Sequence, residues 1–269
     1  MKHISLISAL IICCLSTHAQ TFIPDEHNGL KYQVLSSNIN GEDKPGLVIF
    51  LHGGHARGND NQAQIQLPAV QDIATYITDK NMSAYLLVPQ CPADQEWLYN
   101  NGVPGCKDKV MSLIDLYIST KDIDKERIYL CGVSMGTWAS WHILKEYPNL
   151  FAGAFLASGR PRYLYAHELT GTPLYVTVGS HERSMEPIRL FTIDIEKAGG
   201  AVKFDSLSGK DHRHVQRHSL PSVLTGCLLN EEGQTKFGFI CEKNAWHKCI
   251  VSGIFHAILS VTVLWLKTI

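Results

Sequence analysis

The sequence has no excess of charge of either sign: its 269 residues carry 24 Lys and Arg against 25 Asp and Glu, a formal net charge of −1. A nucleic-acid-binding surface usually shows as a basic face, so no nucleic-acid partner is expected. No run of like charges marks a solvated tail, no segment repeats, and no low-complexity stretch interrupts the chain. Regular metal-ligand spacing is also missing. His52 and His55 stand near Asp60, but no third and fourth ligand follow at the spacing a structural or catalytic metal needs, so no metal is expected.

The sequence does have an apolar start. MKHISLISALIICCLSTHAQTF puts Lys2 and His3 before a nearly unbroken apolar run from Ile4 to Leu15, and small residues at Thr17 and Ala19. That pattern predicts a secretory signal peptide over 1–19, cleaved after Ala19; the run is short for a membrane span. Acylation of Cys13 or Cys14 is disfavoured by bulky Ile12, which sits where a small residue is wanted. A secreted or periplasmic location follows as the expectation, and with it an oxidising compartment. Cleavage leaves Cys91, Cys106, Cys131, Cys227, Cys241 and Cys249. Cys91 and Cys106 flank the loop-like CPADQEWLYNNGVPGC and could staple it. Cys131, inside an apolar run, is expected as a buried thiol.

Short apolar runs of strand character alternate with segments of helical spacing. GLVIFLHGG (46–54), SAYLLVPQ (83–90), RIYLCG (127–132), FAGAFLAS (151–158), PLYVTVG (173–179) and AVKFDSL (201–207) read as strands. The first reads as a strand buried on both faces. Segments 69–80, 108–120, 136–147 and 186–200 read as helices. Strand and helix in alternation predict an α/β fold, a mostly parallel sheet with helices on both faces, occupying 20–220. Ligands in such sheets bind beyond the carboxyl ends of the strands.

Gly132-Val133-Ser134-Met135-Gly136 lies at one such end, between a buried strand and a helix. This is the context a nucleophile elbow requires, and it makes Ser134 the candidate nucleophile. A serine needs a base to take its proton; in this architecture the order is serine, acid, histidine. Of 13 histidines, His212 follows the last strand through a glycine-containing loop and is the candidate base; His214 and His218 are rivals. Glu182, the first carboxylate past PLYVTVG, is the candidate acid, with Glu186 and Asp211 as alternatives. The amide of Met135 and one from the glycine loop, Gly54 or His55, would hold a developing oxyanion. No cofactor is required by this chemistry.

With these residues placed, the sequence resembles the α/β-hydrolase superfamily, and within it the secreted esterase and predicted-peptidase group related to feruloyl esterases, polyhydroxybutyrate depolymerases and prolyl-oligopeptidase catalytic domains. LVIFLHGGHARGNDN, LLVPQCPADQEWL, IDKERIYLCGVSMGTWASWHILKEYPNLFAGAFLASG and VGSHERSMEP carry the resemblance, over about residues 30–215. It implies Ser134 as nucleophile and His212 as base, and it places Glu182 where the group usually has aspartate. It also suggests Trp97 beside the substrate cleft, where His55 is a second candidate contact, although Trp97 is equally readable as a core aromatic. The chain departs from the group at Val178-Gly179, where a histidine-glycine pair is usual. It departs again over 221–269, where a short amphipathic helix is usual but a segment with Cys227, Cys241 and Cys249 and the apolar run Ile250–Leu266 stands instead. A packed helix is the default reading of that run, with a membrane tail or an unrelated terminal sequence as the alternatives.

These features together predict an exported serine esterase acting on a small-molecule or oligosaccharide ester, the latter by analogy of fold. A serine peptidase of prolyl-oligopeptidase type and a non-catalytic binding protein that keeps the fold are the rival expectations.

Overall fold

Alternation of side chains along the strands decides which helices cover which face of the sheet. In the computed structural model, which describes residues 21–217, strand β3 (Gly46–Leu51) is buried throughout. Its Leu47, Ile49 and Leu51 join one core and its Val48 and Phe50 the other, as a period of two requires. The first core packs under α2 (Lys107–Thr120), α3 (Met135–Glu146) and α4 (Met185–Lys197), with Leu113, Ile114, Trp141, Ile143, Ile188 and Ile195 turned inward. The second packs under α1 (Pro68–Asp79) through Val70, Ile73 and Ile77, and reaches Val215 of the six-residue α5 (His212–Arg217). Pro68 opens α1 at a position where its missing N–H costs nothing.

The sheet has eight strands in the order β1-β2-β4-β3-β5-β6-β7-β8. From β4 (Ala84–Pro89) through β3, β5 (Ile128–Val133), β6 (Gly153–Ala157), β7 (Leu174–Gly179) and β8 (Val202–Leu207) every pairing is parallel. The fold class is therefore the one the alternation predicts, and all the expected strands and helices are present with ends shifted by a few residues. The sequence reading missed β1 (Ile23–His27) and β2 (Leu30–Ser37), which add an antiparallel edge. β1 is almost wholly exposed and carries Pro24, Asp25 and Glu26, so it has no apolar pattern to be seen by; Pro and charge are normal on an edge strand.

The expected signal peptide (1–19), the segment 221–269 with its cysteines and apolar run, and His218 lie outside the described residues, as does the side chain of His214. Among the described residues no helix is long and apolar enough to cross a membrane, and no group of three His, Cys, Asp or Glu could hold a metal ion.

Candidate active site

β5 is a central strand, and the chain must turn sharply from its end into α3 without disturbing β3 alongside. The turn is made at Ser134, which adopts φ 55° and ψ −111°, a region that is strained for a residue with a Cβ. The flanking glycines are there for space. A Cβ on Gly136 would lie 1.8 Å from the Leu51 carbonyl oxygen, and one on Gly132 would lie 2.6 Å from Ser140 Oγ. Thr137 Oγ1 sits 2.7 Å from the carbonyls of both Gly132 and Ala157, and the Ser134 N–H donates to Ala157 O at 2.8 Å. The elbow is thus tied to β6 as well as to its own strand.

The structure brings the three candidate triad residues together although they come from the ends of three strands. Ser134 Oγ is 2.9 Å from His212 Nε2, and His212 Nδ1 is 2.8 Å from Glu182 Oε2. His212 opens α5, directly beyond the turn that leaves β8, so it begins a helix rather than sitting in a loop. Glu182 lies in the turn after β7. Its other oxygen, Oε1, accepts from Ser158 Oγ at 2.5 Å and from the Gly179 N–H at 3.0 Å. Burial opposes the charge on this side chain, which is only 3% exposed, yet the hydrogen bonds from His212, Ser158 and Gly179 outweigh it and hold the carboxyl below its usual range. The same Glu182 hydrogen bond raises His212 above the ordinary imidazole value, against partial burial. The carboxylate stays ionised and favours the tautomer with hydrogen on Nδ1, leaving Nε2 as the acceptor facing the serine. The other carboxylates weighed for this place are engaged elsewhere. Glu186 pairs with Arg189 at 2.6 Å on the exposed face of α4, and Asp211 caps α5 by accepting from the Arg213 N–H at 2.9 Å.

The glycine loop follows β3. Gly54 begins a short 3-10 turn that includes His55 and Ala56, and Met135 is the first residue of α3. N–H groups at the start of a helical turn have no acceptor within it, so both amides are donors available to a ligand. Gly54 is not the crowded glycine, for a Cβ there would meet only Met135 Sδ at 4.0 Å; one on Gly53 would stand 3.4 Å from Ser134 Cβ and 3.3 Å from His55 Nδ1. Gly53 is thus the more closely approached of the two, and His55 is exposed beside it.

Trp97 is fully buried. Its indole N–H donates to the His52 carbonyl at 3.0 Å, and its ring lies 4.9 Å from the His52 ring, so bracing the glycine loop is its main contact. It lies against a groove of about 500 Å³ whose lining includes Leu98, Tyr99, Trp138, His142 and Tyr163. Trp138 stands one turn of α3 beyond Ser134, and His142 one turn further.

The parts played by two residues in this neighbourhood escaped the sequence reading. Ser158, at the carboxyl end of β6 and at φ 53°, holds the second oxygen of Glu182; the rule that sites lie past strand ends pointed at its position but not at its partner. His52 is wholly buried. It accepts the Cys91 N–H on Nε2 at 3.0 Å and donates from Nδ1 to Gly53 O at 2.7 Å. Burial pushes its pKa down to about 4, which keeps the ring neutral, as one accepting and one donating nitrogen require.

No family model matches the chain, and no curated protein matches it by sequence. Solved structures do match by fold. A thermostable esterase superposes with a TM-score of 0.58 at 23% identity over 74% of this chain, which spans 57% of that esterase's length. A ferulic acid esterase matches at TM-score 0.61 and 13% identity, covering 78% of this chain and 96% of the other. The S-formylglutathione hydrolase FrmB of Staphylococcus aureus matches at 0.55 and 13%, covering 72% and 92%. The chain has the α/β-hydrolase fold.

Proposed function

We propose that this protein is a serine hydrolase of carboxylic esters. The observation that carries the reading is the continuous relay Ser134 Oγ–His212 Nε2–Glu182 Oε2, at 2.9 and 2.8 Å, on a serine held at positive φ. Ser134 attacks the ester carbonyl while His212 Nε2 takes its proton. Glu182 holds the ring and stabilises the imidazolium. The amides of Met135 and Gly54 receive the oxyanion; each such donor is typically worth about 3 kcal/mol in the transition state. His212 then returns the proton to the leaving alcohol, and water, activated by the same imidazole, releases the acid.

The finer reading is an exported esterase acting on acylated saccharides. The apolar start of the sequence supports export. The aromatic groove that begins one helical turn from Ser134 supports a ring-bearing ester group, since its volume falls in the range of small-molecule sites. The test uses purified protein with p-nitrophenyl acetate and a fluorophosphonate probe. Turnover and covalent labelling are both expected, and both vanish in Ser134→Ala. Undiminished turnover by that variant rejects the hydrolase reading; labelling without ester turnover points to a peptidase, and neither signal points to a binding protein. A panel of acetylated and feruloylated oligosaccharides then ranks the substrate.

A further inference from the structure

The stretch between β4 and α2 carries two thiols that this chemistry does not use. Cys91 lies just past the end of β4, and Cys106 caps the N-terminus of α2. Both are fully buried, in the same core, with their sulfurs 3.5 Å apart. The chain between them carries Trp97. The start and the middle of this stretch both hold His52: the Cys91 N–H donates to its Nε2, and the Trp97 indole donates to its carbonyl. His52 in turn holds Gly53 O, next to the amide assigned to the oxyanion. Cys131 packs in the core on the opposite face of the sheet, so it cannot compete for either sulfur.

We propose that Cys91 and Cys106 are joined by a disulfide, and that the bond fixes the 92–105 loop against the oxyanion loop. A sulfur–sulfur bond of about 2.05 Å requires the two atoms to approach by about 1.5 Å from their 3.5 Å separation. The oxidant is another disulfide, protein or small molecule. One cysteine thiolate attacks it to give a mixed disulfide and one thiol, and the second cysteine displaces the other thiol. Two cysteine thiols are oxidised, one disulfide is reduced, and two protons pass to the released thiolates. In the folded chain the Cys91 thiol is held far up by its contact with Cys106 and by burial, so thiolate is scarce there. The bond therefore forms while the chain folds, or when the loop opens.

The cross-link stands apart from the hydrolase reading; its effect on turnover rests on that reading. Residues 81–107 form a single tryptic peptide holding both cysteines. In full-length protein folded in the presence of oxidised glutathione and digested without reductant, this peptide is expected two hydrogens lighter than its dithiol and without alkyl label. Two labels on the peptide under these conditions, or a link from either cysteine to another one, overturn the proposal. Reduction should lower the melting temperature by about 5–10 °C, the effect of opening a loop of this length in a domain of this size. At 25 °C, well below melting, it should lower kcat about tenfold with little change in KM, the scale of a small misplacement of catalytic groups. A Cys91→Ser, Cys106→Ser double variant should show neither response, which separates this pair from Cys227, Cys241 and Cys249. A reductant-induced fall in melting temperature with kcat unchanged overturns the positioning role; an absent cross-link in an enzyme with full turnover overturns the bond and leaves the hydrolase reading standing.

Discussion

The two partners of the Ser134–His212 hydrogen bond are built differently. Ser134 stands at the end of a central strand, its turn clamped between β3 and β6 by backbone hydrogen bonds and by two glycines that leave no room for a methyl group. His212 stands past the edge strand β8, on a six-residue helix, with its side chain 47% exposed. The strained residue needs neighbours on every side to hold it, and a central strand supplies them. The imidazole is held through Nδ1 by Glu182 and faces Ser134 with Nε2, while the sheet edge leaves the rest of the ring half open to solvent. One buried carboxylate thus holds the ring, and Val215 anchors the short helix in the core.

That contrast can be broken from either end. The largest effect is expected from Ser134→Ala: kcat should fall by at least about 10⁴-fold with the melting temperature nearly unchanged, read by ester turnover and thermal unfolding together. Next comes Glu182→Gln at the histidine end, with kcat/KM lower by about 10³–10⁴-fold, as when a triad carboxylate is lost. Its pH profile sharpens the comparison. The base must be neutral to act, and Glu182 raises the His212 pKa, so the wild-type acid limb should lie above the ordinary imidazole value of about 6.5. In the glutamine variant the limb should move to lower pH; a limb that stays in place separates Glu182 from the titrating group.

Gly136→Ala tests the packed end through stability rather than chemistry. The added methyl would meet the Leu51 carbonyl at 1.8 Å, so β3 and α3 must part, at a cost of about 3 kcal/mol or more in urea unfolding. Smaller is Ser158→Ala, which removes one hydrogen bond from Glu182. A drop of about 3–10-fold in kcat/KM is expected, from the roughly 1 kcal/mol such a bond contributes. Smallest is Glu186→Gln, which breaks an exposed pair with Arg189 and should leave kcat/KM within about twofold. If this variant falls as far as Glu182→Gln, the acid has been misassigned.

The elbow was legible in the sequence because it is local. Strand, glycine, serine, glycine and helix stand within ten residues, and each has a steric reason to be there. His212 and Glu182 were reached by chain order and by the rule that sites gather past strand ends, not by any pattern of their own. The grip of Ser158 on Glu182 could not be read, since its two partners are 24 residues apart and meet only because β6 and β7 are neighbours. His52 was read only as a discarded metal ligand, because its role depends on Cys91 and Trp97, which come from the far side of β4.

Periodicity and glycine placement alone determined the α/β alternation, the position of the sharp turn and the hydroxyl at its tip, because these rest on sterics between residues close in the chain. Tertiary structure decided the exposed edge strands, the neutral brace at His52, the second hold on Glu182 and the approach of Cys91 to Cys106. Each of these depends on which strands lie side by side, and strand order is settled by burial over the whole sheet rather than by any short stretch of sequence.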